Sequence, residues 1–203
     1  MSELATPDEI LEFWFGDAPD NPDALPAKSK HWFAKDFDFD REIADRFVET
    51  VAALAGGVCY EWAARGTRER LAAIVALDQF SRNIFRDHRF AFAHDPLSRE
   101  LMREGLEAGA DKHLSEVERV FFYLPAEHSE DIRDQDLSVK LFIDLVGSAR
   151  EPYRAFCEST LDYARKHRDV IERFGRFPHR NAALRRASTP EEKDYLSQPG
   201  AGF

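Results

Sequence analysis

No run of this chain approaches the roughly 20 consecutive apolar residues that span a bilayer. Its opening, Met1-Ser2-Glu3-Leu4, is acidic and lacks the basic-then-apolar order of a secretory signal. Cysteine is scarce: Cys59 and Cys157 are the only two, far apart and in no Cys-x-x-Cys pattern, which argues against a zinc site or a disulfide framework. Isolated thiols on apolar helix faces read as small core residues. The seven histidines include no pair four apart, so no single helix carries a metal site. P-loop, paired-glycine dinucleotide, Gly-x-Ser-x-Gly and His-Glu-x-x-His motifs are all missing, and no cofactor or metal is implied. Together these absences point to a protein of the cytoplasm, without a membrane association.

Alternation of apolar and polar residues with period two is almost absent. Phe37-Asp38-Phe39-Asp40 comes nearest and is too short for a strand. What is present is phenylalanine: 17 copies in 203 residues, enough large rings to fill a thick helical interior. Helix punctuation is frequent. Thr6-Pro7-Asp8-Glu9 and Ser115-Glu116-Val117-Glu118 are capping boxes, and Thr189-Pro190-Glu191-Glu192 caps a last short helix. Asp17 to Pro26 reads as a loop, and a helix starts near Asp40 and stops at Gly56-Gly57. Thr67 caps a helix running to about Arg86, Pro125 ends another, and Ser129 opens the next. Pro152 begins a long helix that ends at Gly175, and the tail from Gln198 to Phe203 reads as frayed. The sum is an all-α chain of antiparallel helices in one domain.

Net charge is −10, which disfavours nucleic acid and anionic membranes as partners. The charge is uneven: Arg165 to Arg186 holds eight Lys/Arg against Asp169 and Glu172, so this stretch carries +6 and the remainder −16. Such an island either binds an anion or satisfies the protein's own carboxylates.

Three segments carry chemistry. In Leu77–Arg86, Asp78, Gln79, Arg82, Asn83 and Arg86 fall on one helical arc of about 140°, with Asp78 and Arg82 placed to pair across a turn. In Leu124–Asp131, His128 sits among Glu127, Glu130 and Asp131, which favours its charged form and suits a proton donor. In Phe174–Asn181, Arg176, His179, Arg180 and Asn181 surround a turn made rigid by Gly175 and Pro178, the composition of a carboxylate or phosphate clamp. His167, on an apolar helix stripe, reads as a hydrogen-bonded core residue.

These strings, LDQFSRNIFR, LPAEHSED and FGRFPHRN, resemble in order and spacing the bacterial family called domain of unknown function nine hundred and twenty-four. The resemblance runs from ILEFWFG at Ile10 to STPEE at Ser188. It implies an all-helical, TPR-like superhelix and leaves activity open. One departure stands out: where the family usually places glycine before a late arginine, this chain has Arg185.

Three functional readings follow. The first is a binding module whose cleft, lined by Arg82, Asn83, Arg86, Arg176, His179, Arg180 and Asn181, holds an anionic small molecule or acidic peptide. The second is an enzyme using His128 or His179 as general acid or base, with Glu130 or Asp78 orienting the imidazole. The third is an internal Arg–carboxylate network that locks the helices without a ligand. Oligomeric state is not written in the sequence.

Overall fold

A computed structural model describes residues 4–202, so the expectations for Met1–Glu3 and for Phe203 lie outside the described residues. The described residues form helices and turns and no strand. Helix α1 (Pro7–Phe15), α2 (Leu25–Phe33), α3 (Phe37–Ala53), α4 (Cys59–Arg65) and α5 (Thr67–Val75) build the N-terminal half. Helices α6 (Ser81–Ile84), α7 (Asp95–Glu107), α8 (Glu116–Glu127), α9 (Ile132–Ser148), α10 (Glu151–Phe174) and α11 (Pro190–Leu196) follow.

The capping boxes at Thr6, Ser115 and Thr189 all form as expected, each hydroxyl accepting from the backbone N–H of the glutamate three residues on. Gly175 closes α10 with φ of 67°, the left-handed geometry that glycine adopts without a Cβ clash.

Several boundaries differ from the sequence reading, each for a local reason. The Asp17–Pro26 segment is not all loop, because α2 begins inside it at Leu25. Helix α3 starts at Phe37 rather than near Asp40, because the Asp36 carboxylate accepts from the N–H groups of Asp38 and Phe39. Its helical path breaks at the glycine pair, as expected. The chain passes through a wide turn, Leu54–Val58, in which Gly57 takes φ of 116° and redirects it into α4. Thr67 is the first residue of α5, and Gly66 occupies the cap position. Pro125 lies inside α8. Only two helical residues follow it, so its missing N–H removes a bond where the helix is ending anyway. Asp131, not Ser129, caps α9. Ser129 instead accepts from Asp131 N–H and donates to Asp134 at 2.6 Å.

The core is built around the helix that the sequence extends to Arg86. After α5 it loosens into a π-type turn, Ala76–Phe80, before α6 ends at Ile84. Residues 71–81 are all buried, which makes this the central element. Ala72, Ala73 and Ala76 leave room for neighbours to close on it from several sides. Around it stand Trp14, Trp32, Phe47 and Phe121, in edge-on and tilted contacts with one another and with its own Phe80, ring centroids 4.8–6.5 Å apart. The Trp32 indole donates to Trp14 O at 3.0 Å and Tyr153 donates to Ala18 O and Pro19 O, so Trp32 and Tyr153 bury their polar ends satisfied, whereas Trp14 Nε1 has no acceptor among the described residues. Gly105 lets α7 lie against this core: a Cβ there would meet Phe122 at 2.6 Å and Arg70 at 2.8 Å. The two-residue link between α9 and α10 folds them into an antiparallel pair. Beyond them Val170, Ile171 and Phe177 form a smaller apolar cluster with Phe174 and Tyr195. Cys59 and Cys157 are free and buried, as their isolation in the sequence suggested. Among the described residues no helix is long and apolar enough to cross a membrane.

Candidate functional site

The π-type turn decides where the first polar segment points. A regular helix would put Asp78, Gln79, Arg82, Asn83 and Arg86 on one arc, but the wide turn and the end of α6 split them. Asn83 and Arg86 face α3, where both bond Asp40: Asn83 Nδ2 at 2.8 Å, Arg86 Nε and Nη2 at 2.6 Å each. Asp78 and Arg82 face the other way, and Arg82 Nη1 reaches Asp78 at 3.1 Å, the pairing expected from their spacing. Arg82 also grips the Asp95 carboxylate with both terminal nitrogens, at 2.9 and 3.1 Å. Asp78 is 1 % exposed. Burial alone would raise its pKa, but Arg82, then His128 and Gln79, outweigh that and hold the carboxyl below its ordinary range.

His128, at the C-terminus of α8, directs Nδ1 at both Asp78 oxygens, 2.9 Å from each. The charged form expected from its acidic neighbours is not the favoured one. Burial and the Arg82 guanidinium push His128 below the usual imidazole range, against the opposing pull of Asp78. Glu130, the other residue expected to orient a histidine, is used elsewhere: it receives Arg186 at 2.7 and 2.9 Å and the Phe177 N–H at 2.8 Å.

The third segment divides as well. Arg176 is committed to Glu192, Nε at 2.6 Å and Nη2 at 2.8 Å. Asn181 donates to Ser188 and Glu192 and accepts from Arg186, so it braces the turn. Arg180 turns inward. Its guanidinium lies between the rings of Phe92 and Phe177, 4.6 and 4.5 Å from their centroids. It is 6 % exposed, and its one ion pair among the described residues is a 3.5 Å contact to Asp95, a carboxylate already held by Arg82. The side chain makes no hydrogen bond among the described residues, and its Nε is buried without an acceptor. Burial, then the nearby Arg82 charge, lowers its pKa to about 10. His179 beside it is pushed down to about 3 by burial, then Arg180, His167 and His128. The tail covers this residue, Gly202 lying so close that a Cβ there would come within 3.1 Å of His179 Cβ.

Residues outside the three segments complete the site. Asp95 on α7 joins Arg82 to Arg180. His167 on α10 is hydrogen-bonded and buried as the sequence reading held, with Nδ1 2.9 Å from Tyr163 O and 3.0 Å from Glu127 Oε1. Its ring centroid is 6.2 Å from that of His128 and 5.5 Å from that of Phe177. The contacts thus close a circuit: His128, Asp78, Arg82, Asp95, Arg180, Phe177, His167 and back to His128. Glu127 Oε2, on its rim, is buried with no donor among the described residues. No signal in the sequence marked Asp95, Phe92 or Phe177 as site residues. Asp95 reads there as the start of a helix.

The basic island is mostly neutralised from within. Arg168 bonds Asp136 and Glu172, Arg173 bonds Glu191, Arg176 bonds Glu192 and Arg186 bonds Glu130. Among the described residues no group of three or more His, Cys, Asp or Glu is arranged to hold a metal ion. Two open surface hollows lie apart from the circuit. One, of about 360 Å³, has its Arg150 committed to Glu116, and the other, of about 490 Å³, is lined by Glu130, Asp131 and Glu172.

The profile of the family described as bacterial protein of unknown function (DUF924) matches residues 10–200. The chain belongs to this family. Comparison with the curated proteins yields no match. Among solved structures, the chain is similar to a protein of unknown function from Agrobacterium tumefaciens, at 39% identity over 94% of this chain and 96% of that one, with a TM-score of 0.77. The family's usual glycine before the late arginine, implied by the resemblance of the three strings, now has a physical meaning. Arg185 stands at that position with φ of 55°, a left-handed conformation in which glycine is at ease and arginine strained.

Proposed function

We propose that this chain is a helical binding module for a small anion, a carboxylate- or phosphate-bearing molecule or an acidic peptide side chain, held at the centre around Arg180. One observation carries the reading: a buried guanidinium packed against two rings, with an unbonded Nε and, among the described residues, one long contact to a carboxylate that Arg82 already occupies. The two rings contact the guanidinium carbon without accepting a hydrogen bond in its plane, which leaves Nε among the donors open to a ligand. A buried arginine without a full carboxylate partner is costly, and a bound anion removes that cost. Arg82 is saturated by Asp78 and Asp95, Arg86 by Asp40 and Arg176 by Glu192, so the cleft of the sequence reading narrows to His179 and Arg180.

The test is a thermal-shift and calorimetric screen of inorganic phosphate, sulfate and di- and tricarboxylates against the wild-type chain and Arg180→Gln. A ligand at 100 times its Kd adds about 2.7 kcal/mol, which for a chain of this size is about 5–11 °C in Tm. The expected result is a shift that Arg180→Gln abolishes. A shift that survives the substitution, or none from any of these anions, would refute the reading. A purely internal network is the competing account, favoured by the full pairing of Arg82, Arg86, Arg176 and Arg186.

A further inference from the structure

The same polar centre contains a device that anion binding alone does not need. An ionised carboxylate accepts and does not donate, so with Nδ1 of His128 2.9 Å from both Asp78 oxygens, the ring proton resides on Nδ1. In the neutral imidazole the lone pair then belongs to Nε2. Nε2 makes no hydrogen bond among the described residues, and the side chain is 13 % exposed. Asp78 is immobilised in turn by Arg82 and by the Gln79 amide. A base, a carboxylate that sets its tautomer, and a guanidinium able to hold an anion thus lie on one closed circuit of contacts.

We propose that His128 is a proton-accepting base directed at the anion held by Arg180, with Asp78 as its positioning residue, so that the site moves a proton on a carboxylate- or phosphate-bearing substrate. This rests on the anion-binding reading of the same centre. In the step, the substrate's bond to hydrogen breaks, its electron pair stays on the substrate atom, and the proton bonds to Nε2. Asp78 stabilises the imidazolium that forms, and the proton then returns to product or solvent, so no oxidant or second reactant is consumed. The groups facing His128 agree with a base that is neutral at rest. Burial and Arg82 from the central helix, with His179 from the turn after α10, disfavour an added proton. Asp78 and Glu127 favour it, and His167 stands 6.2 Å away across the circuit.

Two readouts on the full chain test this. The first is the tautomer of His128 from nitrogen-15 NMR at pH 7, with Nδ1 protonated and Nε2 bare as the expected result. The second is acylation by diethyl pyrocarbonate, in which a bare imidazole nitrogen attacks the carbonyl carbon and ethyl carbonate leaves. Modification at His128, followed by peptide mass spectrometry, should be slowed by saturating inorganic phosphate about tenfold or more, an effect equivalent to about 1.4 kcal/mol. Arg180→Gln should keep the acylation and lose the phosphate protection. Asp78→Asn should move the proton to Nε2 and suppress the acylation while circular dichroism stays native, a change that a purely structural carboxylate would not produce. If Asp78→Asn does not fold, the wild-type tautomer and phosphate protection decide alone. An Nε2–H tautomer, an inert His128, or phosphate that releases binding heat without slowing the acylation would each overturn the proposal. A reactive His128 with no phosphate binding would overturn the anion reading and the substrate class, and would support the base by itself.

Discussion

Replacing Asp78 with alanine removes one carboxylate from the centre of the molecule, and the size of the loss follows from what that carboxylate holds. It is 1 % exposed, receives His128 Nδ1 at 2.9 Å, pairs with Arg82 Nη1 at 3.1 Å and accepts from the Gln79 amide. Without it, Arg82 keeps Asp95 but must share it with Arg180, which is 3.5 Å from the same carboxylate. His128 Nδ1–H loses its acceptor, and an unsatisfied buried donor alone costs about 1–3 kcal/mol. Breaking a buried pair costs about 3–5 kcal/mol because it strands the remaining charge. The two figures describe overlapping losses, so about 3–5 kcal/mol is the expected total. At about 2–4 °C per kcal/mol for a chain of this length, Tm should fall by about 6–20 °C. Urea denaturation followed by far-ultraviolet circular dichroism measures the loss directly. Asp38→Ala is the control: its partner Arg41 is 3.7 Å away and both side chains are largely in water, so its effect should stay under about 1 kcal/mol. A loss below about 1 kcal/mol for Asp78→Ala as well would refute both the internal-network account and the claim that Asp78 anchors His128.

Two further outcomes are expected. Arg185→Gly should stabilise by about 0.5–1 kcal/mol, because a left-handed arginine costs about 1–2 kcal/mol and glycine returns part of that as unfolded-chain entropy; a destabilised variant in thermal and urea unfolding would refute the strain argument. Stability should also fall as pH drops below about 6.5, where imidazoles of the unfolded chain take up protons. His179, pushed down to about 3 by burial and Arg180, refuses the proton in the native state over that window, and His128 adds in the same direction. Each such group contributes a slope of up to about 1.4 kcal/mol per pH unit. Urea midpoints between pH 4 and 7 should therefore flatten in His179→Gln, and an unchanged slope would contradict the burial of that ring.

Where a helix boundary depends on neighbouring residues alone, the amino-acid sequence was sufficient. A hydroxyl at Thr6, Ser115 or Thr189 and a glutamate three residues on satisfy each other within one turn, and Gly175 closes α10 by its own backbone freedom. The Asp78–Arg82 pair was legible for the same reason, being four residues apart. Pro125 misled because its effect depends on how much helix remains after it, and Asp36 was overlooked because its cap opens on exposed Phe37.

The site itself needed the tertiary structure. Its residues come from the central helix, α7, the end of α8, α10 and the turn beyond it, and the links that join these elements include spans of 13 residues, Arg82 to Asp95, and 50, Asp78 to His128. Pairings at such separations are decided by which helix faces meet. The end of α6 at Ile84, with Phe85 out of helical geometry, then separated two nearby arginines, Arg82 pairing with Asp95 and Arg86 with Asp40. Composition declared that the basic island needed counter-charges. Only packing determined that Arg176 and Arg186 would receive them in full and that Arg180 would be left with half a carboxylate, because burial removes the water that would otherwise make every arginine equivalent.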